Sequence, residues 1–244
     1  MKRFPFVLTF VALLAFLVLT GLGVWQVRRL AWKENLLARV ATLRGAPPQP
    51  LETVLARARG GEDVAYHRVS VRCANPDGQT PVIFLYGIHD GQVAWRALDV
   101  CRLTAGPADA ILIDRGVVTQ FTGAPGPAAT MLPPPGQIVG VLRSFGAKPL
   151  IGPVEATRTG GPRLFQALEG QAVADLLRSK GATRPAALFL AVESESPAIP
   201  GLAPEALPED IPNNHFAYAL TWFALAAVLA WFYGALLLRR LRSS

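Results

Sequence analysis

The residues best suited to chemistry lie in Asn213-Asn214-His215-Phe216-Ala217-Tyr218-Ala219-Leu220-Thr221-Trp222. On a helix His215, Tyr218 and Trp222 fall at i, i+3 and i+7, one above another on one face. An earlier apolar stretch closes on Trp25 and Gln26, with Arg28 and Arg29 just after them. Aromatic rings, amides, an imidazole and two guanidiniums would then gather at one depth. Two readings of that set stay open. The first is an aromatic belt with interfacial anchors, as membrane helices commonly carry. It accounts easily for Trp25, Tyr218 and Trp222, and less well for His215 behind two asparagines. The second is a haem site, because neutral imidazole is the usual protein ligand for haem iron. His215 would ligate the iron, Tyr218 and Trp222 would lie against the macrocycle beside Trp25, and Arg28 or Arg29 would pair with its propionates.

The elements that must position these groups are two long apolar runs. No residue from Phe4 to Val27 is charged, and none from Ile211 to Leu238. At about 1.5 Å per residue either run crosses a hydrocarbon core of about 30 Å. The first exceeds the h-region of a signal peptide and lacks a small-x-small site at its end, so it reads as a span. The chain of 244 residues carries 24 Lys+Arg against 17 Asp+Glu, a net charge of +7. All 17 acidic residues lie between Glu34 and Asp210, and the 17 basic residues from Lys33 to Arg184 balance them. The surplus is Lys2, Arg3, Arg28, Arg29, Arg239, Arg240 and Arg242, flanking the two runs. No basic domain exists, which excludes a nucleic-acid partner and points to a lipid bilayer. Glu205, Glu209 and Asp210 before the second run, with three arginines after it, put its C-terminal end in the cytoplasm. Both termini are then cytoplasmic and the intervening domain lies outside. Arg28 and Arg29 run against that trend.

The expected boundaries are a span over 1–27, continuing as a helix to about 43, an outer domain over 28–212, a second span over 213–238 and a basic tail over 239–244. The outer stretch is long enough for one domain with its own core. After a short helix at Leu51–Arg59, strands dominate: His67–Ala74, Pro81–Ile88 and Gln92–Leu103 about an Asp-Gly turn, Ala110–Val118, and Gln137–Phe145. A loop rich in Gly and Pro fills Phe121–Gly136, and a helix at Gln171–Lys180 precedes a last strand at Ala186–Glu193. The fold class is membrane α+β: two transmembrane helices around an extracytoplasmic antiparallel β domain, barrel- or sandwich-like, with one or two short helices.

Other chemistry finds little support. Cys73 and Cys101 stand 28 residues apart, without the spacing of a redox or metal pair, and a structural disulfide or two separate buried thiols fit equally. His67, His89 and His215 show no i, i+4 spacing. Neither a phosphate loop nor a G-x-S-x-G elbow is present. Asp114-Arg115-Gly116 reads as a strand terminus with a local ion pair, or as a site.

Three stretches resemble the Surfeit locus proteins that assist cytochrome c oxidase assembly. Leu22-Gly23-Val24-Trp25-Gln26-Val27-Arg28-Arg29 with Lys33 is similar to that family's L-G-x-W-Q-x-x-R…K signature. Asp114-Arg115-Gly116 resembles its N-R-G segment, with Asp for Asn and Val117 for Trp. Asn213 to Ala226 is similar to N-N-H-x-x-Y-A-x-T-W-x-x-L-A. The resemblance implies a non-enzymatic assembly factor of the bacterial inner membrane, with its main domain periplasmic. It implies haem a as the cargo, His215 as the ligand to the haem iron, and cytochrome c oxidase subunit I and haem a synthase as partners. The alternatives are a cofactor-free scaffold for oxidase subunits and a membrane-anchored periplasmic enzyme.

Overall fold

The computed structural model describes residues 6–74, 80–81, 83–89, 91–119, 131–148, 154–156, 163–205 and 213–242. They form two compact units, residues 1–41 with 210–244, and residues 42–209. Most of the expected Gly- and Pro-rich loop, 121–136, lies outside the described residues.

The first unit pairs two helices, α1 (Phe6–Gly45) and α4 (His215–Arg242). Both are long and apolar enough to cross a membrane. Their apolar side chains face outward: Phe10, Leu17, Leu220 and Trp231 are all exposed. The buried positions are small, namely Ala12, Gly23, Ala219 and Ala226. Small residues let two backbones approach closely where lipid removes any hydrophobic drive to associate. At Gly23 a Cβ would stand 2.7 Å from the Phe223 ring, so this glycine marks the tightest approach. Polar contacts join the helices as well. Thr9 and Tyr233 hydrogen-bond through their hydroxyls, and Gln26 meets His215. The two contacts lie 17 residues apart along α1 (from Thr9 to Gln26), about 26 Å on a helix.

In the second unit α2 (Leu51–Arg59) follows a two-residue strand β1 (Gln49–Pro50). Glu52 in its first turn and Arg57 and Arg59 in its last complement the helix dipole, and Gly61 at φ +92° turns the chain out. The longer strands are β2 (Arg68–Arg72), β4 (Ile83–His89), β5 (Gln92–Arg102), β6 (Ala110–Val118), β8 (Gln137–Ser144) and β11 (Pro185–Ser196). Two-residue strands β3 (Thr80–Pro81), β7 (Met131–Leu132), β9 (Glu155–Ala156), β10 (Leu164–Phe165) and β12 (Leu202–Ala203) complete the set, with α3 at Gly170–Ser179. The main sheet runs β1-β2-β8-β11-β6-β5-β4-β10-β9, with β12 added to β6.

This order corrects the expected antiparallel barrel or sandwich. Among the described residues only β4-β5-β6 is a meander. The last long strand does not add at an edge. It inserts between β8 and β6, antiparallel to the first and parallel to the second. The sheet is therefore mixed, and among the described residues no pairing joins β1 to β9. Alternation identifies strands but carries no information about which edge a distant strand will fill.

Both faces of the centre are covered. Leu51, Val54 and Leu55 of α2 pack on Val69, Ile111, Ile113, Leu142 and Leu190. On the other side α3 contributes Val173, Leu176 and Leu177 and packs against β6 and β11. Accordingly β6 is buried along eight of its nine residues. Cys73 and Cys101 form a disulfide, which decides between the two readings of those residues. The hydrogen bond from Ala74 N to Arg102 O draws the ends of β2 and β5 together beside it.

Candidate functional site

His215 opens α4, and its Nδ1 lies 2.7 Å from Oε1 of Gln26 on α1, 189 residues away in the chain. An amide oxygen accepts only, so the imidazole donates from Nδ1. That places the remaining lone pair on Nε2, which has no protein partner among the described residues. Two residues earlier the side-chain oxygen of Asn213 is buried, also without a hydrogen bond.

The helix geometry decides which neighbours share this place. Relative to Gln26, at about 100° per residue, Trp25 is turned about 100° backward on α1 and Arg29 about 60° backward. Relative to His215, Tyr218 is turned about 60° backward on α4 and Trp222 about 20°. Because α1 and α4 run antiparallel, backward turns on both lead to the same side of the pair. Arg29, Tyr218 and Trp222 thus lean to the same side as the Gln26–His215 contact, with Trp25 farther round α1. Trp25 and Tyr218 are each 56% exposed, which leaves their rings available. Arg29 lies over the Trp32 ring, 3.9 Å from its centroid. Arg28 is exposed and sits about 200° from Gln26, on the far side of α1.

Gln26 is the residue whose part the sequence left undefined. Its spacing from Trp25 and Arg29 is legible, but a partner on another helix is not. The same donor set also sets a limit on ligands. Among the described residues no three His, Cys, Asp or Glu side chains assemble to hold a bare metal ion. A haem asks less, since its porphyrin supplies four of the iron's donors and the protein adds one imidazole and a flat apolar wall. His215 and the aromatic side of the pair fit that demand.

The Asp114-Arg115-Gly116 segment turns out differently. It is not a strand terminus, because β6 continues to Val118 and pairs there with β12. The register shifts so that Ala97 pairs with Gly116 and Leu98 with Asp114, leaving Arg115 as a bulge. Gly116 has φ +113°, and a Cβ there would collide with the Ala203 carbonyl, so the crossing of β12 requires glycine. Arg115 is completely buried. It donates from Nε and Nη2 to Glu195 at 3.1 and 2.6 Å, and from Nη1 to Asp99 at 3.0 Å and the Pro133 carbonyl at 2.8 Å. Arg96 donates to Asp114 at 2.7 Å and to the Glu205 carboxylate at 2.8 Å. Burial pushes the Asp114 carboxyl up from the usual range, against the pull of the Arg96 guanidinium. The partners of these ions come from the strands paired with β6 on either side, β5 and β11, and from Glu205.

A cleft of about 460 Å³ opens beside α2, lined in part by Leu55, Val64, Ala108 and Leu188. Of its charged lining, Glu62 is held by Arg57 at 2.6 Å, and the buried ions of β6 do not line it.

The sequence model of the SURF1 family matches residues 13–227, from within α1 to within α4. No individual curated protein matches the chain.

Proposed function

The chain belongs to the SURF1 family, and from that premise we propose that it holds haem a on His215 and hands it to subunit I of cytochrome c oxidase. The family is one of oxidase assembly factors, not of catalysts. The observation that carries the finer reading is that Gln26 engages Nδ1 of His215 and leaves Nε2 for a ligand.

A haem bound here would be held at its iron by the His215 imidazole and would supply the redox-active group of the oxidase. The chain's own residues do the rest. His215 presents Nε2, Trp25, Tyr218 and Trp222 cover the macrocycle and exclude water, and Arg29, stacked on Trp32, keeps N–H groups for a propionate. Arg28, on the far side of α1, stays outside this set. A single protein ligand suits a carrier, since one bond to break is a lower barrier to release than two. Haem a synthase is then the donor and subunit I the recipient.

Charge and redox chemistry support a bacterial inner-membrane location with the sheet domain in the periplasm. Disulfides such as Cys73–Cys101 persist in oxidising compartments. Arg239, Arg240 and Arg242 close α4 while Glu205 precedes it, the bias that keeps a helix end cytoplasmic. Both termini are cytoplasmic in this arrangement.

The test is purification in detergent from cells that make haem a. The wild-type protein should carry haem with an imidazole-ligated spectrum, and His215→Ala should lose both haem and spectrum. Wild-type protein emerging haem-free from such cells would overturn the reading and leave a cofactor-free scaffold for oxidase subunits.

A further inference from the structure

We propose that Gln26 is a positioning residue for the cargo: its side-chain carbonyl fixes His215 in the tautomer that carries the proton on Nδ1 and offers Nε2. This inference rests on the haem-carrying reading above and deepens it.

A free imidazole distributes its proton between two nitrogens and rotates about two side-chain torsions. In a metal site both freedoms are usually removed by an acceptor on the non-ligating N–H, which also raises the basicity of the ligating nitrogen. The Gln26–His215 contact has that form. At 2.7 Å it is at the short end for an N–H···O hydrogen bond. Gln26 is half-buried, so water competes weakly for the same N–H.

The surrounding packing holds the acceptor in place. Gly23, one turn before Gln26, admits the Phe223 ring, and Ala219, one turn after His215, is buried. The Thr9–Tyr233 hydrogen bond fixes the same antiparallel register farther along the pair. With register fixed at two points, the Gln26 amide has little latitude to leave His215.

A rival account is that Gln26 merely clamps two helices. The two accounts differ in what the variants read. The full-length protein, purified in detergent from cells making haem a, is compared as wild type, Gln26→Ala, Gln26→Glu and Thr9→Val. Gln26→Ala should weaken haem retention about 10- to 100-fold, the range typical of losing an outer-shell partner. Gln26→Glu, which accepts the same hydrogen bond with a charged oxygen, should retain haem and move its reduction potential to a more negative value. Thr9→Val removes the distant clamp and should leave both retention and potential at wild-type values.

The inference is overturned if His215→Ala loses haem while both Gln26 variants keep wild-type retention and potential. It is equally overturned if Thr9→Val weakens retention as much as Gln26→Ala, which would make Gln26 a clamp. Haem-free wild-type protein, by contrast, defeats the function itself and takes this inference with it.

Discussion

Among the described residues, the polar clusters around Arg115 and around His215, one in each unit, are built on opposite plans. Around Arg115 every donor nitrogen is engaged: two carboxylates and a backbone carbonyl surround a guanidinium with no exposed side-chain surface. Around His215 one ring nitrogen is engaged by Gln26, and Tyr218 and Trp25, near this pair in sequence, stay exposed. A saturated cluster has no valence left for a ligand and can only hold the fold. An unsaturated one keeps a lone pair for a ligand. Both segments stood out in the sequence, and saturation is what separates them.

Variants that attack each side of this contrast should differ sharply in stability. Arg115→Ala leaves Asp99 and Glu195 buried without their partner and should cost about 3–5 kcal/mol. Denaturant unfolding of the sheet domain would measure it. A cost below about 1 kcal/mol would break the contrast, since it would mean the saturated cluster does not hold the fold. Loss of the Cys73–Cys101 bridge comes next. Its sequence separation of 28 residues corresponds to about 3.5 kcal/mol of loop-closure entropy, read as the shift in unfolding free energy on adding reductant or in the double serine variant.

A smaller effect belongs to Glu169. Its carboxylate caps α3, accepting from Gln171 N at 3.0 Å and Ala172 N at 2.9 Å, and these hydrogen bonds hold it below the usual carboxylate range. A folded-state value below the unfolded one stabilises above the unfolded value, about 4.3, and that stability is lost as pH falls through the folded value. Glu169→Gln should therefore melt earlier than wild type near pH 6, with the gap closing below about pH 4 in a thermal scan against pH. The smallest stability change should come from His215→Ala. Losing one half-buried neutral hydrogen bond should cost about 1 kcal/mol or less, while haem binding disappears. A large stability loss there would move His215 into the structural class and erase the contrast.

Much of the fold was legible because local rules govern it. The two apolar runs, the Leu51–Arg59 helix, the hairpin about Gly91 and the strand at Ala110–Val118 all follow from periodicity and turn chemistry acting within a few residues. What failed was pairing. The strand expected at Ala186–Glu193 forms over Pro185–Ser196, yet nothing in it specifies a parallel neighbour at Ala110–Val118. The two-residue strands at Gln49–Pro50 and Leu202–Ala203 carry no pattern and exist only because a partner edge is there to pair with.

The candidate site divides in the same way. Residue type and helical spacing determine that His215, Tyr218 and Trp222 share a face and that Trp25 and Arg29 share another, because both facts lie within one turn or two of a helix. Only the tertiary structure decided that Gln26 meets His215 and that Cys73 joins Cys101. Each of those joins residues that are neighbours in space. Packing chooses such partners, through small residues such as Gly23 and Ala219 that let two backbones close and through a bulge that turns Arg115 inward.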